Sequence, residues 1–150
     1  MISDAAFPLL PCMQVMHQLF YFLDESKYDD LVSLFTPDGT WLRQGERLAG
    51  RAQIMQALCK RPGTQRTRHV ISNSFIESHS HDQLRMAAYM VAYRFDDGTV
   101  HAGAVGIDRP LRLSVLHAAL RQIDGAWKIA DMTLTPEFEF VSDPTAGAGR

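Results

Sequence analysis

From Cys12 to Leu23, the apolar residues Val15, Met16, Leu19, Phe20, Phe22 and Leu23 recur at helical spacing, with Gln14 and Gln18 between them. Side chains three and four positions apart share one helix face, so this stretch predicts an amphipathic helix. "ESKYDDLVSLFTPDG" predicts a second, short helix from Tyr28 to Phe35, stopped by Pro37 and an Asp38-Gly39 turn. "TWLRQGERLAG" predicts a small hairpin around Gln44 to Glu46, and "GRAQIMQALCKRPG" a third helix that ends before Pro62-Gly63.

The period then changes. Residues 66–79 and 83–95 alternate or carry β-branched and aromatic side chains, with a turn at "SHSHDQ" between them and "DDG" ending the second. Residues 111–123 and 126–135 predict a further hairpin, closed by the two-residue turn signal Asp124-Gly125. Three helices followed by a meander of long strands is an α+β layout, in which a curved antiparallel sheet wraps the N-terminal helices. A sheet curved around helices leaves a cone, and an apolar cone with a few polar groups is a default ligand site.

Composition sets the scale of that picture. At 150 residues, 46% hydrophobic and 21% charged, the chain holds one globular domain spanning 1–150, with the small-residue tail "DPTAGAGR" (143–150) expected to fray. The 15 basic and 17 acidic residues interleave and leave a net charge of -2, so no footprint for nucleic acid or an anionic membrane is expected. Cys12 and Cys59 have neither a CxxC nor a Cys/His ligand spacing, which suits a reducing compartment and argues against structural zinc. The N-terminus lacks the basic region of a signal peptide, and a cytoplasmic protein is expected. With no GxGxxG, P-loop or HExxH, neither a cofactor nor a metal is expected.

The chemistry centres on "TQRTRHVISN". Strand side chains alternate, so Thr67, His69, Ile71, Asn73 and Phe75 are expected on one face, offering an imidazole and a carboxamide either side of Ile71. Asp24 ends the first helix. If that helix packs inside the cone, Asp24 is the carboxylate that reaches an imidazole on the sheet, and such a partner fixes the tautomer of a histidine base. The other histidines carry less: His79 and His81 fall in a polar turn, His101 in the loop "VHAGAVGIDRP", and His117 faces the cone or solvent according to register. Trp41 and Trp127 read first as core, and Asn73 equally well as a residue satisfying a strand bulge.

The stretches "FYFLDESKYDDLVSLFTPDGTW", "LAGRAQIMQAL", "RTRHVISN", "IDGAWKI" and "PEFEF" together resemble the nuclear transport factor 2-like fold over roughly residues 10–140. Within it they resemble the SnoaL-like group that includes scytalone dehydratase and the hexachlorocyclohexane dehydrochlorinase. The resemblance places the catalytic histidine on His69 and its partner aspartate on Asp24, a pair that serves elimination in both named enzymes. It places a polar pocket residue on Ser114. Elsewhere the pattern departs: the tyrosine before the dehydratase aspartate is Leu23 here, a second pocket tyrosine falls near Arg43, the asparagine beside the serine falls on Leu116, and the dehydrochlorinase arginine falls around Thr135.

The resemblance implies a cofactor-free lyase that takes a proton from a small hydrophobic, cyclic or aromatic-type substrate and expels water or halide. Asp24 and His69 would be catalytic, while Asn73, Ser114, Arg43 and Trp41 line the substrate, with Phe138 of the tail as a lid. A homodimer or homotrimer is implied by analogy. Two other classes stay open: an isomerase or cyclase using the same pair, and the non-catalytic small subunit of an aromatic-ring dioxygenase, whose cone should be filled or shallow.

Overall fold

The computed structural model describes residues 6–141, and the expected frayed tail at 143–150 lies outside the described residues. The first apolar stripe forms α1 (Ala6–Asp24), which begins earlier than its periodicity suggests and runs through Pro11. A short α2 (Tyr28–Ser33) follows, then β1 (Phe35–Arg43), β2 (Glu46–Ala49) and α3 (Gly50–Cys59). The rest is sheet: β3 (Arg66–His79), β4 (Gln83–Phe95), β5 (Arg112–Ile123) and β6 (Ala126–Glu139).

The expected turn at Asp38-Gly39 is corrected. The chain stays extended there inside β1, with a register irregularity against β6 between Phe35 and Thr40. A glycine suits this point because a Cβ on Gly39 would lie 2.9 Å from the Ile129 carbonyl oxygen and 3.0 Å from that of Thr36. Close backbone approach, rather than a reversal of the chain, accounts for the glycine. The turn that does reverse the chain is Gln44-Gly45, where both residues have positive φ as a tight hairpin requires.

The strands form one sheet in the order β2-β1-β6-β5-β4-β3. Every neighbour pair is antiparallel except β1 and β6, which run parallel. The sheet is therefore mixed where an antiparallel one was expected, because β6, the last strand, returns beside β1 running in the same direction. The sheet curves without closing, and bulges in β3 and between β5 and β6 break its register where it bends.

Met16, Leu19 and Phe20 of α1, Ile54 and Leu58 of α3, and Trp41 of β1 are fully or almost fully buried against the sheet's concave face. Burial of such side chains is the main force closing the cone. One end of the concave face is packed with Met86, Leu116 and Leu120, all fully or almost fully buried. Among the described residues, no helix is long and apolar enough to cross a membrane.

Candidate active site

Residue Asp24 is the last of α1, and the backbone around it is fixed by a helix-ending motif. The Lys27 N–H donates to the Phe22 carbonyl at 2.8 Å, while Ser26 takes φ 57°. That six-to-one bond with a left-handed residue ends a helix in a defined direction. Two adjacent acids then grip β3 on either side: Glu25 pairs with Arg68 at 2.8 Å on the outside, and Asp24 turns inward.

Inside, Asp24 accepts three hydrogen bonds. The His69 ring Nδ1 lies 2.6 Å from its Oδ1, the Thr67 hydroxyl donates to Oδ1 at 2.8 Å, and the His69 backbone N–H donates to Oδ2 at 3.0 Å. An ionised carboxylate only accepts, so beside it Nδ1 is the proton-bearing nitrogen, and in the neutral imidazole Nε2 is then the one with the lone pair. The carboxylate side chain is 5% exposed and the imidazole 12%. Phe20 covers the ring, with centroids 5.1 Å apart.

One residue that the sequence did not single out completes this arrangement. Arg61, in the loop after α3, donates through Nη1 to the Leu23 carbonyl at 2.6 Å and through Nη2 to Thr67 Oγ1 at 2.9 Å. Thr67 therefore accepts from Arg61 and donates to Asp24. The chain Arg61, Thr67, Asp24, His69 ties a loop, a strand and a helix end into one network. Arg61 carries no sequence signal for this role, since "CKRPG" reads only as a helix terminus. Thr67 was visible as a member of the His69 face.

His69 opens onto a cavity of about 520 Å³. Ser114, Arg43 and Trp41 also line it, as do Arg61 and Arg112. Ser114 comes from β5 and is buried. Trp41 is completely buried, stacks on Phe35 with centroids 5.9 Å apart, and lies beneath the Arg43 guanidinium, 5.7 Å from its ring centroid. It forms a wall rather than an open platform. Burial pulls the Arg43 guanidinium below the ordinary arginine value, and repulsion from Arg61 and Arg112 adds to this.

Two expected pocket residues lie elsewhere. Asn73 takes φ 57° at the bulge between Ser72 and Phe75, and it is exposed. The bulge adds a residue and shifts the alternation, so Phe75 is 54% exposed, while Ile76 takes up core packing. Phe138 pairs with Leu113, whereas the cavity takes Arg112 and Ser114 from the opposite face of β5. Residues paired across a ladder share a face, so Phe138 points away from the cavity and is 63% exposed. Pro136 and Leu134 of the same strand line the cavity instead.

Register also places His117. It alternates with the buried Leu116 and Ala118 and meets Glu77 at 3.1 Å, on the convex face. His101 pairs with Asp97 at 2.8 Å in an exposed loop.

No curated protein matches the chain in sequence. Solved structures share its fold at low identity. One is a protein of unknown function from Mycobacterium tuberculosis, at 20% identity and a TM-score of 0.76, covering 96% of this chain and 79% of that one. Another is a protein from Novosphingobium aromaticivorans provisionally named scytalone dehydratase, at 17% identity and 0.74, covering 95% and 94%. A third, from the same organism, is the beta subunit of a provisionally named aromatic-ring-hydroxylating dioxygenase, at 14% and 0.73, covering 93% and 95%. The SnoaL-like domain family matches residues 11–133, which is most of the sequence, and the chain belongs to that family.

Proposed function

We propose that the protein is a cofactor-free lyase that eliminates water or halide from a small cyclic substrate, with His69 as general base and Asp24 as its positioning partner. The observation that carries this reading is the 2.6 Å contact between His69 Nδ1 and Asp24 Oδ1 at the wall of a cavity. With Nδ1–H held by the carboxylate, Nε2 is the atom that accepts the substrate proton. The C–H electron pair then forms the new double bond, and the leaving group departs from the adjacent carbon with its own bonding pair. Halide leaves as the anion and the proton passes from His69 to solvent. Water needs a proton to leave, and the imidazolium supplies it, restoring the base. A general base contributes about 10²- to 10⁴-fold, with orientation and charge stabilisation supplying the remainder. Ser114 and Arg43 are among the donors available for developing negative charge.

The cavity of about 520 Å³ supports an enzyme over a non-catalytic dioxygenase subunit, whose cone is expected to be filled or shallow. An isomerase or cyclase would use the same dyad and return the proton to another atom, so the products distinguish it. The reading includes a cytoplasmic location and a homodimer or homotrimer, and the oligomer is supported by exposed apolar residues on the convex face of β3 and β4, Val70 and Tyr89 among them. The test is turnover of a panel of cyclic β-hydroxy ketones and halides, monitored for the unsaturated product. Turnover that falls about 10²-fold or more in His69→Ala supports the reading. Turnover indifferent to His69, or no turnover of any member, contradicts it.

A further inference from the structure

The cavity carries an excess of positive charge that proton abstraction alone does not require. Arg43, Arg61, Arg94 and Arg112 line it, and among the described residues no aspartate or glutamate does. In a chain of net charge -2 this concentration of one sign is local. Asp24 lies behind His69, committed to the imidazole and Thr67.

The arginines differ in how their charges are met. Arg61 is bound by neutral partners, the Leu23 carbonyl, Tyr28 Oη and Thr67 Oγ1. Arg112 has Glu139 at 3.5 Å from its Nε, an ion-pair distance without hydrogen-bond geometry, and Glu139 sits at the exposed rim. Arg43 has no ion pair among the described residues and rests on the Trp41 ring, where burial and the charges of Arg61 and Arg112 work against it and Glu46, opposite it on β2, offsets only part of this. A guanidinium taken out of water without a contacting counter-charge is unfavourable, and an anion arriving in the cavity would relieve that cost.

Register gives the anion a place relative to the base. His69 pairs with Ala92, and Ala92 pairs with Arg112, so the three lie in one row across β3, β4 and β5 and share the concave face. Two strand spacings put the His69 and Arg112 backbones about 10 Å apart. Ala92 is the small residue between them, and it leaves room for one ring. A bidentate arginine fork matches a carboxylate in shape as well as charge.

We infer that the substrate carries a carboxylate, bound by Arg43 and Arg112, with its ring over Ala92 and the acidic C–H toward His69. This deepens the proposed function and rests on its reading of the cavity as the substrate site. The substrate class is then a small cyclic carboxylic acid.

Binding tests this without turnover. Benzoate and cyclohexanecarboxylate, each compared with its neutral amide, are titrated into the full chain by calorimetry and by amide NMR shifts. The carboxylates are expected to bind at least about tenfold tighter than the amides, with shifts at Ala92 and Ser114. The preference is expected to vanish in Arg43→Gln, to be largely kept in Arg43→Lys, and to survive in His69→Ala. Amides binding as well as carboxylates, or a preference that outlasts Arg43→Gln, would overturn the inference. Because the readout persists in His69→Ala, a carboxylate preference without turnover counts against the elimination reading alone. His69-dependent turnover of neutral substrates without such a preference counts against the carboxylate alone.

Discussion

Asp24 on the last turn of α1 and His69 on β3 are separated by 45 positions in the chain, yet their side chains meet at 2.6 Å. The pairing depends on a helix end that stops in a defined direction and on a strand that runs past it with the right face inward. Replacing the carboxylate by a carboxamide keeps size while removing the charge and turning one of two accepting oxygens into a donor, although donors face both of them. Asp24→Asn should fold with an unchanged circular dichroism spectrum and lose roughly 10²-fold or more in turnover on a substrate of the wild type. Wild-type turnover in this variant would exclude the dyad.

Thr67 carries the connection from Arg61 to Asp24, and its removal should be felt in stability as well as rate. Thr67→Val keeps the shape and leaves Arg61 Nη2 and one lone pair of Asp24 without their partner. The expected cost is about 1–3 kcal/mol in urea unfolding, with Thr67→Ser recovering most of it. Recovery of turnover by the serine variant separates loss of the hydroxyl from loss of packing.

Burial pushes the Cys12 thiol up to about 12 from an ordinary value of 9.0, since an anion is disfavoured in the core. A group with a raised folded value stabilises the fold fully below its unfolded value. As pH rises from about 9 toward 12 the unfolded chain gives up this proton while the folded chain keeps it, so stability falls, with a slope approaching about 1.4 kcal/mol per pH unit. Cys12→Ala should remove this component of the alkaline decline. In the native protein a thiol reagent should label the exposed Cys59 and reach Cys12 only on unfolding.

Gly39 tests the packing of β1 against β6. Gly39→Ala places a methyl group against the Ile129 and Thr36 carbonyls, which are backbone atoms held by the sheet. A loss of about 2 kcal/mol in urea unfolding is expected. A neutral result would mean that the parallel pair is looser than its geometry implies.

These residues also show how far the sequence could be read. β3 and β4 coincide with the runs at 66–79 and 83–95, and the Asp124-Gly125 hairpin stands where its turn chemistry places it, because period-two alternation and tight turns are local properties. Asp38-Gly39 misled for the same reason: a turn-forming pair looks identical when a neighbouring backbone demands the glycine. Asn73 and Phe138 fail as pocket residues because one bulge, or one register step, exchanges the faces of everything beyond it. Asp24 and His69 are legible as partners from the layout of helix end and strand, and the resemblance points to the same pair. Arg61 and the cationic cavity are products of tertiary placement, in which residues from β1, a loop, β4 and β5 converge, and no local pattern encodes that convergence.

The central claim is that His69 stands with Nδ1–H bound to Asp24 and Nε2 free to take a proton. Nitrogen-15 NMR of histidine-labelled protein at about pH 8, where an ordinary imidazole is neutral, reads this directly from the shifts of the two ring nitrogens. The account predicts a protonated Nδ1 and a bare Nε2 in the wild type, with that preference lost in Asp24→Asn. A His69 that carries its proton on Nε2, or that keeps its tautomer without the carboxylate, would contradict it.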